Sequence, residues 1–303
     1  MDLITPPALR PGDRVAVVAP SGPAEEALLR RGLERLAGRY AVTLVGELLG
    51  RTGYLAAPDA VRADAVNAAL RDPDVRAIFC ARGGYGALRI LPALDAEALR
   101  RDPKPLVGLS DVTALLAWAL AQGVGAVHGP VVTQLAALPD EDWEALIAAL
   151  ERPDAPARVV GRPDPAGGAA GVGRLVGGNL SLLAALSGTP WAVPLSGAIL
   201  LLEDVGERPY RIDRLLTQLG LQPGPAGLAG VHGVAVGELL SCEPPDDRSP
   251  GAAEVVASRL GDLAPGRPVV MDLPFGHGRR NRPFPLGRLA RLDPQAGTID
   301  WPA

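Results

Sequence analysis

Pro105-Leu106-Val107-Gly108-Leu109-Ser110-Asp111-Val112-Thr113 joins an apolar run to residues 112–121, which read as an amphipathic helix, through a single Gly-x-Ser step. The pattern predicts a strand, a sharp turn and a helix. A serine at such a turn projects from the carboxyl end of its strand, and the amides after it open a helix N-terminus suited to negative charge. The α/β-hydrolase signature, Gly-x-Ser-x-Gly, has a second glycine where this chain has Val112. Gly-x-Ser-Asp ahead of a helix is also an ordinary N-cap, so the turn alone does not establish catalysis.

Working outward, strand and helix signals alternate. Residues 14–19 (RVAVVA), 41–45, 75–81 and 125–127 are short apolar runs. Between them lie helical patterns: one opened by Pro23 with Leu28, Leu29, Leu33 and Leu36, another opened by Pro58-Asp59 with Val61, Ala65, Val66 and Leu70, and a last one over residues 140–149. Continuous apolar strands alternating with helices predict a parallel α/β sheet covered on both faces, with any site at the strands' carboxyl ends. Arg82-Gly83-Gly84-Tyr85-Gly86, Ser110 and His128 all fall at that edge.

The chain has 303 residues, more than one core usually spans, and two domains are expected. Residues 1–150 form the first. Residues 151–173 (ERPDAPARVVGRPDPAGGAAG and the two that follow) are rich in Pro, Gly and Ala and read as a linker. Residues 174–303 form a second, mixed α/β domain, with helices near 179–186, 210–219 and 252–260, strands at 198–202, 233–239 and 268–271, and a hairpin pattern over 287–301.

Composition excludes several classes. Thirty basic against 34 acidic residues give a net charge of −4, and the basic residues are scattered, which argues against nucleic acid or an anionic membrane as partner. Cys80 and Cys242 have no metal-ligand spacing and read as reduced thiols of a cytosolic protein, and no metal or cofactor motif is present. Residues 175–202 carry no charge and are long enough for a bilayer, but Gly177, Gly178, Asn179, Gly188, Pro190, Pro194 and Gly197 break the run into shorter elements.

A serine nucleophile needs a base, and there are three histidines. His232 stands at a strand entrance and reads as a surface or packing residue. His128 lies at the right sheet edge, before a Gly-Pro turn. His277, between Gly276 and Gly278, sits in a segment denied helix and strand propensity, which leaves catalysis as the best reason for displaying it. For the acid that orients the imidazole, Glu203 and Asp204 end the same apolar strand, and chemistry does not separate them. Gly83 and Gly84 permit close backbone approach, so that an amide there and the Asp111 amide could form an oxyanion hole.

Gly12-Asp13-Arg14-Val15 with Ala19-Pro20-Ser21-Gly22, the Arg82–Gly86 turn with Arg89, Gly108–Asp111, Gly177-Gly178-Asn179-Leu180, Glu203–Tyr210 with Asp213-Arg214, and Gly276-His277-Gly278 together resemble the LD-carboxypeptidase family of serine peptidases, in order and over nearly the whole chain. The resemblance implies a flavodoxin-like N-terminal domain carrying the nucleophile and a C-terminal domain carrying the acid and base. It assigns Ser110 as nucleophile, Glu203 as acid and His277 as base. It also implies a homodimer without cofactors that releases terminal D-alanine from a murein tetrapeptide, at the L-centre of a diamino acid. Arg82 is a candidate for the substrate's terminal carboxylate, and Tyr85 for a further substrate contact. A related branch that gives immunity to microcin C by cleaving aminoacyl-adenylate analogues resembles the chain at the same three positions. Residues 203–218 are compact here and offer only Tyr210 for a nucleobase, which favours the peptidase. A non-catalytic ligand-binding module, with Ser110 as a helix cap, is the reading of another class.

Overall fold

The computed structural model describes residues 3–244, 246 and 249–301. The chain divides into two units: residues 1–153 with 281–287, and residues 154–280 with 288–303.

The first unit is built on a sheet of six strands in the order Phe284–Leu286, Ala126–His128, Leu106–Gly108, Val75–Cys80, Arg14–Val18, Ala41–Leu44. The five strands that come first in the chain are parallel and stand in the flavodoxin order 2-1-3-4-5, so the switch point lies between Arg14–Val18 and Val75–Cys80. At the carboxyl ends of these two strands the Gly22 amide donates to the Gly83 carbonyl at 3.1 Å. Val15, Val17, Phe79, Val107 and Leu146 belong to one buried apolar cluster. The helix Thr113–Ala121, expected to be amphipathic, is instead buried at every position from Thr113 to Ala119, as a helix apolar on all sides must be.

Two further features depart from the sequence pattern. In the helix Asp59–Arg71, Val61 is 41% exposed and Arg62 takes the buried position. Its guanidinium donates to the carbonyls of Pro20, Ala57 and Gly86 and pairs with Asp59, so it ties together the two loops of the switch point. Phe284–Leu286, assigned by sequence to the second domain, pairs antiparallel with Ala126–His128 and covers that edge of the first sheet. The returning segment is anchored by Arg282, whose Nε lies 3.1 Å from the buried Asp142, and by the Asn281 amide, which donates to the same carboxylate.

The second unit has a mixed sheet in the order Val269–Val270, Gly233–Leu240, Ala198–Val205, Gly171–Asn179, Leu289–Asp293, Thr298–Trp301, Ala157–Val160. The first four strands are parallel and the rest antiparallel. The stretch read as a linker therefore contains an edge strand, Ala157–Val160, and the start of another. Gly171–Asn179 escaped the sequence reading because its glycines look like breakers. They are close-approach positions: a Cβ on Gly171 would overlap the His232 carbonyl, and one on Gly177 the Leu201 carbonyl. The uncharged stretch weighed as a membrane span is strand, the helix Leu180–Leu186 and strand again, and no helix among the described residues is long and apolar enough to cross a membrane.

Candidate active site

Ser110 follows the strand Leu106–Gly108 and has φ +64°. A non-glycine residue in the left-handed region costs roughly 1–2 kcal/mol and persists only where its surroundings hold it. Here the hold comes from both sides of the turn. Leu109 is buried, and the side chain of Asp111, also buried, accepts a hydrogen bond from the Ala87 amide at 2.8 Å. The turn brings positions 108 and 112 together, so that a Cβ on Gly108 would lie 2.6 Å from Val112 Cγ1. Since Gly108 has no side chain, Val112 can stand where other elbows need a second glycine.

The Arg82–Gly86 turn lies against this serine. A Cβ on Gly83 would be 2.7 Å from Ser110 Cβ and 3.0 Å from its Oγ, which fixes how near the backbone passes. Gly84, at φ +111°, reverses the chain there. Among the described residues the amides of Gly84 and Asp111 have no hydrogen-bond acceptor. Arg82 donates from one guanidinium nitrogen to the Pro23 carbonyl at 2.9 Å, the loop-binding role open to it from sequence. Tyr85 is half exposed and meets Tyr54 edge to face, with ring centroids 5.3 Å apart.

In the second unit, Glu203 and Asp204 are consecutive strand residues and must point to opposite faces. Asp204 accepts from Asn179 Nδ2, the Ser181 amide and the Ser181 hydroxyl at 2.8–2.9 Å, which caps the helix Leu180–Leu186. Glu203 is fully buried, and its Oε2 accepts from His277 Nδ1 at 2.6 Å. With Nδ1–H committed, Nε2 is the nitrogen left for proton transfer. The strand Gly233–Leu240 bulges opposite this point, since Leu202 pairs with Val236 but Asp204 with Leu239. Gly276 precedes the histidine at φ +130°, and a Cβ there would lie 3.1 Å from Glu203 Oε2.

The electrostatics follow from that geometry. Burial favours the neutral form of His277, but the hydrogen bond and charge of Glu203, with Asp204 and Glu238 behind it, outweigh burial and raise its pKa above the ordinary histidine value. Burial pushes the Glu203 carboxyl upward, and its bond to His277 only partly offsets this. Of the other histidines, His128 is fully buried on the last parallel strand of the first sheet, with Gly108 and Phe284 as strand neighbours. His232 is exposed and uses Nδ1 on the Val172 carbonyl at 2.7 Å. No cluster of metal-ligating side chains occurs among the described residues.

The LD-carboxypeptidase N-terminal domain profile matches residues 15–129, and the LD-carboxypeptidase C-terminal domain profile matches residues 172–292. The chain belongs to the LD-carboxypeptidase family. A putative carboxypeptidase of Streptomyces coelicolor is 45% identical over 100% of this chain and 98% of its own length. The murein tetrapeptide carboxypeptidase of Pseudomonas aeruginosa is 33% identical over 92% and 93%. The crystal structure of a muramoyltetrapeptide carboxypeptidase from Oxalobacter formigenes superposes with a TM-score of 0.84 at 30% identity, covering 96% of this chain and 100% of the other. A microcin C7 self-immunity protein of Escherichia coli is 28% identical over 69% and 72%. Sequence reasoning proposed Ser110 and His277, and Glu203 through the family resemblance, and it did not foresee Arg62 or the bulge at Gly237-Glu238. A buried arginine on a helix leaves no periodic signal, and a bulge is a property of two paired strands.

Proposed function

We propose that this chain is a serine L,D-carboxypeptidase that releases the terminal D-alanine of murein tetrapeptides. The observation that carries the reading is the chemistry held ready in each unit: a serine forced into a left-handed elbow beside two glycines, and a histidine whose Nδ1 is locked 2.6 Å from a buried carboxylate. Ser110 is the nucleophile, His277 the general base and Glu203 the group that orients it. The Asp111 and Gly84 amides are the oxyanion donors, with Arg82 as the candidate partner of the terminal carboxylate and Tyr85 beside it.

In this mechanism Ser110 Oγ bonds to the carbonyl carbon while its proton passes to His277 Nε2. Glu203 stabilises the resulting imidazolium without taking the proton. The tetrahedral oxyanion collapses, the C–N bond breaks, and His277 returns the proton to the departing amine of D-alanine. Water then gives a proton to His277 and its oxygen to the acyl carbon, and a second collapse restores the Ser110 hydroxyl and frees the shortened peptide as a carboxylate. The reading extends to a cytoplasmic homodimer in murein recycling, in keeping with two free, buried cysteines.

The test pairs labelling with substrate choice. A fluorophosphonate should label the protein stoichiometrically and fail on Ser110→Ala. A panel of tetrapeptides ending in D-Ala or L-Ala, as acid or amide, should yield selective release of D-Ala from the free acid. Absence of labelling on folded protein would turn the reading toward a binding module. Preferential hydrolysis of an aminoacyl sulfamoyl adenosine would move the chain to the microcin-immunity branch, which the higher identity to the carboxypeptidases disfavours.

A further inference from the structure

The bulge opposite Glu203 has a second effect, on Glu238. Two residues, Gly237 and Glu238, stand against the single Glu203, and this turns Glu238 toward the histidine loop. A Cβ on Gly278 would overlap the Glu238 carboxylate, and a Cβ on Gly276 would lie 3.4 Å from Glu238 Cβ, so the acid packs directly along Gly276-His277-Gly278. Its carboxylate makes no hydrogen bond or ion pair among the described residues. A half-buried acid without a partner invites a cation.

Glu238 also lines a cavity of about 550 Å³ that lies wholly within the second unit, in the size range of small-molecule sites. Leu239, Leu273 and Phe275 give it an apolar wall, and Arg279 lines it too. The Arg279 guanidinium, like Glu238, has no partner among the described residues, whereas Asp272 is already paired with Arg162 at 3.2 Å. Glu243 is exposed. The cavity thus offers one half-buried acid and, at its exposed rim, one guanidinium beside apolar surface. Among the described residues three non-glycine positions have positive φ: Ser241 and Asp272 flank it, and the third is Ser110.

We infer that this cavity receives the side-chain end of the substrate's diamino acid: the aliphatic stem against the apolar wall, the ammonium on Glu238 and, where the side chain also carries a carboxylate, that group on Arg279. The inference rests on the L,D-carboxypeptidase reading and names the part of the substrate that the second unit selects.

The experiment compares three L,D-tetrapeptides differing only at the third residue: 2,6-diaminopimelate, lysine and norleucine. The wild type should prefer both amines to norleucine, and Glu238→Gln should reduce the lysine-to-norleucine ratio of kcat/KM roughly ten- to a hundredfold, chiefly through KM. Arg279→Gln should reduce the diaminopimelate-to-lysine ratio about tenfold and leave the lysine-to-norleucine ratio in place. Taking ratios cancels any change that Glu238→Gln makes to His277 itself. If all three peptides slow together in Glu238→Gln, or if the wild type does not distinguish lysine from norleucine, the cavity is not this subsite. If the wild type cleaves none of the three, the carboxypeptidase reading fails instead.

Discussion

Replacing Glu203 with glutamine exchanges a buried carboxylate for an amide of nearly the same shape at the atom that holds His277. The carboxylate is fully buried and 2.6 Å from Nδ1, so water screens the pair little. Two unit charges about 4 Å apart at an effective dielectric near 20 attract by roughly 4 kcal/mol, and losing that attraction from an imidazolium-like transition state is about a thousandfold in rate. The amide can also donate to Nδ1, which puts the ring proton on Nε2 and removes the base. Together these give an expected loss in kcat of about 10³- to 10⁴-fold. The pH profile supplies a second readout. His277 must be neutral to accept the serine proton, and its pKa stands above the ordinary value, so the acid limb of kcat/KM should lie above about 6.5 in the wild type. Without the Glu203 charge the limb should move to lower pH. D-Ala release from an L,D-tetrapeptide, followed from acid to alkaline pH, measures both effects, and thermal unfolding checks that the variant folds. A Glu203→Gln enzyme keeping more than a tenth of wild-type kcat, or one whose acid limb stays in place, would refute the role assigned to Glu203.

The other expectations use the same geometry. His277→Ala should lose 10³-fold or more in kcat, whereas His128→Ala, which empties a buried position, should lose about 2–4 kcal/mol in urea unfolding and keep most of the activity of its folded fraction; the opposite assignment of effects would make His128 the base. Ser110→Gly should be about 1 kcal/mol more stable than Ser110→Ala, because only glycine relaxes at φ +64°, and equal melting temperatures would mean that the elbow stores no strain. Gly83→Ala places a methyl 2.7 Å from Ser110 Cβ and should cost about 1–3 kcal/mol, as Gly108→Ala does, and slow fluorophosphonate labelling of the folded protein about a hundredfold, so normal labelling would place that turn away from the serine. Gly108→Ala should cost about 1–3 kcal/mol through its clash with Val112, and Val112→Gly, which by itself removes a fully buried side chain, should cost less in that background than in the wild type; strict additivity of the two changes would deny the contact.

Local sequence determined much of this protein. Short apolar runs punctuated by helical patterns leave a parallel sheet as the way to satisfy the backbone and bury Val15, Val17, Phe79 and Val107, and the ends of such runs marked where Ser110 and Glu203 would stand. The glycines around His277 marked a loop with neither helix nor strand propensity. These signals survive in one dimension because period, punctuation and turn chemistry act over a few neighbouring residues.

What the tertiary structure decided are the choices that depend on residues distant in the chain. Glu203 and Asp204 are chemically alike, and only strand alternation together with their partners, His277 for one and Asn179 and Ser181 for the other, separates them. Val112 looked like a missing glycine until the elbow showed that Gly108 alone clears the space. Phe284–Leu286 joins the first sheet, against its place in the chain, because a parallel sheet ending at Ala126–His128 has an open edge and a nearby strand can pair with it. Glycines that read as breakers proved to be the points where two strands approach most closely, and Glu238 became visible only when two paired strands fell out of step. Each of these outcomes is set by which atoms come to share a volume, and a sequence states that only after it has folded.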